Sequence, residues 1–105
     1  MVRATFLLVF ARRLRQARLI SGLSQKAVGI DLGFDQFVAS PWVNQNERGV
    51  HPPDYQTAQR LAQARGVTTA FLYADDDDVA QCLLALSGVS ARERKRLIQG
   101  LEVGS

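Results

Sequence analysis

Cysteine occurs once in this chain, as Cys82, and histidine once, as His51. One thiol cannot close a disulfide within the chain. One thiol and one imidazole make no metal-ligand set. A lone thiol also suits a reducing compartment. Long apolar runs are missing as well. The run near the start, "FLLVF" at residues 6–10, falls far short of the ~20 residues of a membrane span. It is also too short for a secretory signal and has no small-residue cleavage site. These absences place the protein in the cytoplasm, away from membranes. No stretch alternates apolar and polar residues for long enough to make a strand. No glycine-rich loop has phosphate-cradling spacing, and no nucleophile has a base for a neighbour. His51 lies beside two prolines, Pro52 and Pro53, in a loop. An enzyme is therefore not expected, and no cofactor or metal is called for.

What is present is helical periodicity in 105 residues, 47% of them hydrophobic. That suffices for one small core. A first helix over residues 5–20 carries Phe6, Phe10, Leu14 and Ala17 at spacings of three and four, and Gly22 ends it. Leu7, Leu8 and Val9 leave its first turns apolar all round, an excess suited to a dimer contact. Ser24 caps a second helix reaching Leu32, with Ala27, Val28 and Leu32 facing inward. Gly33 then supplies a left-handed turn. Asp54 caps a helix over 55–65 with Ala58, Leu61 and Ala62 inside, and Gly66 ends it. "TTAFLYA" makes a short helix with Phe71 and Leu72 buried. The four carboxylates of "ADDDDVAQCLLALSG" sit where a helix dipole favours negative charge, so they open another helix over about 76–87. Ser90 caps a last one.

Charge is uneven. Residues 1–73 hold nine Lys or Arg and four Asp or Glu, whereas residues 74–105 hold four and six. A basic front half suits a polyanion partner, and it equally suits an ordinary solvated surface. The run Arg12, Arg13, Arg15 and Arg18 reads as a solvated face from which some side chains reach phosphates, together with Lys26 and Arg48.

Two helices joined by a glycine turn form a candidate helix-turn-helix. Its second helix lies in the major groove while the first crosses the phosphate backbone. The contact between the two needs a small residue, Gly29 or Ala27. It also needs a positive-φ turn, Gly33, and an apolar plug, Phe34. "ARRLRQARLISGLSQKAVGIDLGF", "VNQNERG" and "PPDYQTAQRLAQARGVTTAFLY", in that order, resemble the Xre/Cro phage-repressor-like helix-turn-helix family over about residues 10–73. The resemblance implies an all-α fold. A compact five-helix DNA-binding domain would occupy residues 1–74, and one or two extra C-terminal helices would occupy 75–105, packing on it or forming a dimer contact. It also implies roles. Gln25 would bind a phosphate. Arg18 would pair with Glu47 in a structural ion pair, and Val43 would be core. Asn46 departs from the pattern, which has an apolar or aromatic residue there.

The stretch "GFDQFVASPWVNQNERG" is longer than the motif needs. Pro41 lacks an N–H and fits the first turn of a helix. A reading helix that starts at Ser40, with Pro41 first inside it, avoids a broken hydrogen bond. Residues 35–39 then form a long turn, with Asp35 capping a short helical turn and Phe37 or Val38 tucked against the core. Ser40, Pro41, Trp42, Asn44 and Gln45 face the groove, with Gln36 ahead of them, and Asn44 and Gln45 have the side chains that bond adenine in bidentate fashion. For Trp42, packing beside Val43 competes with thymine-methyl contact. The leading expectation is a DNA-binding transcriptional regulator, a repressor, that binds duplex DNA as a homodimer. The apolar sets Val79, Leu83 and Leu86, or Leu97, Ile98 and Leu101, or residues 6–9 would join the copies, with intramolecular core the competing reading for each and the preferred one for residues 79–86. The alternative is an antitoxin-type module with a protein partner.

Overall fold

Side-chain caps set where most of the helices begin. The computed structural model describes residues 2–50 and 53–104, with side chains from Leu7 onward. The Phe6 side chain, His51 and Pro52 lie outside the described residues. Among those described there are seven helices and no strand: α1 (Val2–Ser21), α2 (Gln25–Asp31), α3 (Gln36–Glu47), α4 (Tyr55–Arg65), α5 (Thr69–Leu72), α6 (Asp77–Leu86) and α7 (Ala91–Gly104). Ser24 caps α2, Asp35 caps α3, Asp54 caps α4, Thr68 caps α5 and Asp76 caps α6. Each side-chain oxygen accepts from a backbone N–H left unpaired in the first turn. The Ser90 hydroxyl accepts from the Glu93 N–H at the head of α7. Hydrogen bonds from Thr57 hold the Asp54 carboxyl below its usual range. Burial pushes the Tyr73 phenol up.

One core joins α1 to α6. Phe10, Leu14 and Ala17 of α1 meet Val28 and Leu32, Val43, Leu61, Phe71, Leu72 and Ala80. The helical spacing of α1 predicts these inward positions among its described side chains, because residues three and four apart share a face. The reading of the basic run fails at one residue. Arg13 is only 3% exposed. Its Nε donates to the Ala74 carbonyl at 2.7 Å, its Nη1 to Gln16 and its Nη2 to Asp77 at 2.9 Å. The guanidinium also lies over the Phe71 ring, 5.8 Å from its centroid. Arg13 thus ties α1 to the start of α6, and the acidic run supplies its counter-charge.

The expected start of the third helix is wrong. It begins at Gln36, not Ser40, and Pro41 lies inside it. The long turn over 35–39 therefore does not exist, although Asp35 does cap a helix, accepting from the Phe37 N–H at 2.6 Å. Phe37 and Val38 do not tuck inward; both are exposed. Tertiary contact outweighs the local proline rule here. Ala39 is fully buried, and it presses on Gly29 so closely that a Cβ there would lie 2.5 Å from the Ala39 Cβ. That seat requires residues 36–39 to be helical. Pro41 then leaves the Phe37 carbonyl without its usual donor. Since Pro41 and Phe37 are both on the solvent side, water can hydrate that carbonyl.

The last helix stands apart. α6 buries Ala80 and packs Leu83 and Leu84 on the core, but Val79 stays exposed. α7 buries nothing and packs substantially on no other helix. The radius of gyration, 15.1 Å, exceeds the roughly 13 Å of a compact chain this long.

Candidate nucleic-acid interface

With α3 starting at Gln36, its two sides follow from helical spacing. Ala39, Val43 and Asn46 face the protein and are buried. On the opposite side, Phe37, Pro41, Asn44 and Arg48 recur at steps of four, three and four, with Gln45 beside them. Phe37, Pro41, Gln45 and Arg48 are exposed and Asn44 is half-buried. Ser40 flanks this stripe, half-buried, and Gln36 lies exposed at the helix head.

A chain of polar contacts fixes the middle of the stripe. Arg18 grips Glu47 with two parallel hydrogen bonds, Nε to Oε2 at 2.5 Å and Nη2 to Oε1 at 3.0 Å, and its Nη1 donates to the Leu23 carbonyl. The Glu47 carboxylate is nearly inaccessible, at 4% side-chain exposure. It can only accept, so it turns the Gln25 Nε2 towards itself, at 3.3 Å. The same Nε2 donates to the Asn44 Oδ1 at 3.2 Å. Both amide hydrogens of Gln25 are thus engaged within the protein, and the phosphate contact expected of it from the sequence would need one of them released. Asn44 has one lone pair of its Oδ1 engaged and its NH2 group free. It suits acceptors such as guanine O6 and N7, thymine O4 or a phosphate. The adenine pairing, which needs donor and acceptor together, has a competitor at Asn44, whose Oδ1 already accepts from Gln25.

Cations surround this stripe. Arg15, Arg18, Gln25, Asn44, Glu47 and Arg48 line a notch of about 250 Å³ between α1, α2 and α3. A larger hollow of about 680 Å³ along α1 shares Arg15, Glu47 and Arg48 with it and adds Arg12. Lys26 is exposed on α2. Arg12 is partly committed to Asp77 at 3.6 Å. The nearby carboxylates are occupied by Arg18, by the α3 cap and, at Asp31, by Arg65 at 2.6 Å.

The predicted site residues therefore divide. Gln25, Asn44, Gln45 and Arg48 come together, Ser40 and Pro41 lie further up α3, and Lys26 and Gln36 are exposed at the heads of α2 and α3. Trp42 does not join the stripe: its ring packs on Phe34, centroids 4.7 Å apart, and lies partly buried against the core. Asn46 is buried, with its Nδ2 donating to the Trp42 carbonyl at 2.9 Å and its Oδ1 without a partner. Sequence reasoning missed Phe37 and singled out Arg15 only as one of a run. The cap at Asp35 was the available signal for Phe37, since counting back from Asn44 by three and then four reaches it. Among the described residues no helix is long and apolar enough to cross a membrane. No His, Cys, Asp or Glu group among them could hold a metal.

Comparison with known proteins agrees with this fold. Among curated proteins none matches the chain by sequence. A crystal structure of the transcriptional regulator BswR superimposes with a TM-score of 0.82 at 37% sequence identity, covering 88% of this chain and 91% of that one. A family model described as a helix-turn-helix domain matches residues 9–71, the segment that runs from α1 through α5. The chain belongs to that helix-turn-helix domain family.

Proposed function

We propose that this protein is a sequence-specific DNA-binding transcriptional regulator, a repressor, that reads the major groove with α3 and works in the cytoplasm. One observation carries the reading. α3 turns Gln45, Arg48 and the NH2 group of Asn44 away from its own core, and the Arg18–Glu47–Gln25 chain holds Asn44 in register. Backbone N–H groups at the head of α2, with Arg15 and Lys26, supply phosphate contacts. The match to a transcriptional regulator over most of both chains supports the same reading.

One α3 spans only a few base pairs, so the protein acts as a homodimer with half-sites about 34 Å apart. The face of α7 that carries Leu97, Ile98 and Leu101, all at least half exposed, is the surface a second copy would cover. The same face also favours the second reading, an antitoxin-type module on a helix-turn-helix scaffold that binds a protein partner.

Fluorescence anisotropy with duplexes selected from random sequence tests the proposal. Binding should weaken steeply with salt. Gln45→Ala should relax one base position by about 1–3 kcal/mol, whereas Lys26→Ala should weaken all sequences alike and lower the salt slope by about one. Leu101→Lys should lower the affinity through loss of the dimer. Selection that enriches no sequence, with a protein partner bound at the α7 face, would favour the second reading.

A further inference from the structure

The reading stripe has an apolar head that its polar middle does not explain. Phe37 is 79% exposed. Pro41 is exposed one turn later on the same line, and Val38, next to Phe37 in the chain, is about half exposed. A phenyl ring left in water is costly to keep unless something covers it. Nothing in the fold needs it there, since the seat of α3 is made by Ala39, Val43 and the Phe34–Trp42 pair on other sides of the helix.

The occupant of this patch follows from its neighbours. Along the stripe the patch runs directly into Asn44, Gln45 and Arg48. The open cations Arg15 and Lys26 lie on the adjoining helices. A surface that is apolar at one end and polar and cationic along the rest is complementary to a duplex groove. It lacks the continuous apolar area that a second protein would bury. The major groove offers one apolar group, the C5-methyl of thymine. Resting on the DNA-reading function proposed above, we infer that Phe37, backed by Pro41, is a specificity-determining residue that recognises a thymine methyl in each half-site. The aromatic face covers the methyl from the helix side, while Gln45 and Arg48 bond base edges and phosphate further along.

The test removes the methyl and nothing else. With the full chain and a duplex selected from random sequence, each thymine is replaced in turn by deoxyuridine and affinity is read by anisotropy. The wild type should lose about fourfold at one thymine per half-site, the worth of one buried methyl-sized group. For Phe37→Ala the thymine-to-uracil ratio at that position should fall to about one. Its thermal melting should stay where it was, because the ring buries little in the fold. Indifference of the wild type to every replacement would overturn the inference, and so would a preference for thymine that survives in Phe37→Ala. Either result leaves selective DNA binding standing. Failure to select any duplex would remove the DNA-reading function and this inference together. Loss of self-association in Phe37→Ala would assign the patch to a second copy and overturn the inference as well.

Discussion

α4 and α3 are nearly equal in length and sit on the same core, yet they are built differently. α4 follows the local rules of capping and patterning and departs from the rules of burial once, at Arg65 in its last turn, which is buried with its Nε and Nη1 unpaired. Asp54 caps its start, Gly66 closes it at a φ of +70°, and its buried apolar residues, Ala58, Leu61 and Ala62, fall on one face. α3 breaks three rules in twelve residues: a proline inside the helix, a buried asparagine with an unpaired oxygen, and an exposed phenylalanine. Natural proteins keep such inconsistencies mainly where function requires them. α4 is scaffold, and its one inconsistency, Arg65, is held by the ion pair with Asp31. α3 carries the stripe proposed to read DNA, and on that proposal its local stability is given up for what it presents.

If that contrast is sound, α3 depends on its seat rather than on its own propensity, and the largest effect should come from disturbing the seat. Gly29→Ala would place a Cβ 2.5 Å from the Ala39 Cβ and 2.6 Å from its Cα. Backbone atoms cannot yield as a flexible side chain would. The expected loss is about 3 kcal/mol, read from denaturant unfolding, and DNA binding should fall with it. An unchanged midpoint would mean that α2 and α3 are not locked through this contact.

Next in size is the proline. Pro41→Ala restores a donor to the Phe37 carbonyl and removes a ring from the helix interior. Proline in a helix interior costs about 3 kcal/mol. The solvent position of this one lowers the expected gain to about 2 kcal/mol. Melting should rise while sequence selectivity falls, because the substitution also strips the support behind Phe37. A variant that gains stability and keeps full selectivity would break the contrast, since Pro41 would then have no part in reading.

Most of α4 was legible in the sequence, and α3 was legible only in part, for reasons that concern particular residues. The caps Ser24, Asp54 and Ser90 announce their helices because a side-chain oxygen two or three residues ahead of unpaired N–H groups is a local device. The start of α3 is not local. Read alone, Pro41 argues for a helix that begins at Ser40. Only the pressure of Ala39 on Gly29, ten residues away, moves the start back to Gln36. Arg13 was hidden for the same reason. In a run of arginines nothing marks the one whose partners, Ala74 and Asp77, are sixty residues on. The Arg18–Glu47 pair was legible through the family resemblance, whereas its consequence for Asn44, through Gln25, needed coordinates.

A smaller effect sits at Asn46. Its Oδ1 is buried without a partner, a desolvation cost of about 1–3 kcal/mol. Its Nδ2 contact with the Trp42 carbonyl offsets part of that. Asn46→Ala removes the unpaired oxygen and improves helix propensity, and the loss of side-chain volume works against both. We expect a net gain of about 1 kcal/mol in thermal or chemical unfolding. The DNA preference should not change, because this residue faces away from the stripe. A loss of stability would show that the asparagine is needed to hold the Trp42 turn, and that α3 has one fewer inconsistency than the contrast assigns to it.

The smallest effect belongs to α4, and it sharpens the contrast from the side of the scaffold. The Thr57 side chain and backbone N–H hold the Asp54 carboxyl below its ordinary value of 3.8. A group whose pKa is lower in the folded chain contributes stability that is present above the unfolded value. That contribution fades as pH falls from there through the folded value. Other carboxylates titrate in the same window, so wild type alone cannot isolate this one. Asp54→Asn supplies the comparison: it keeps a capping oxygen and cannot titrate. The wild type should be the more stable at neutral pH, by the attraction of a charged cap for the helix N-terminus. The difference between the two proteins should shrink as pH drops below about 4, reaching its floor only once Asp54 is protonated in the folded chain. A difference that stays constant with pH would mean that the charge at the head of α4 adds nothing, and that the cap works through its hydrogen bond alone.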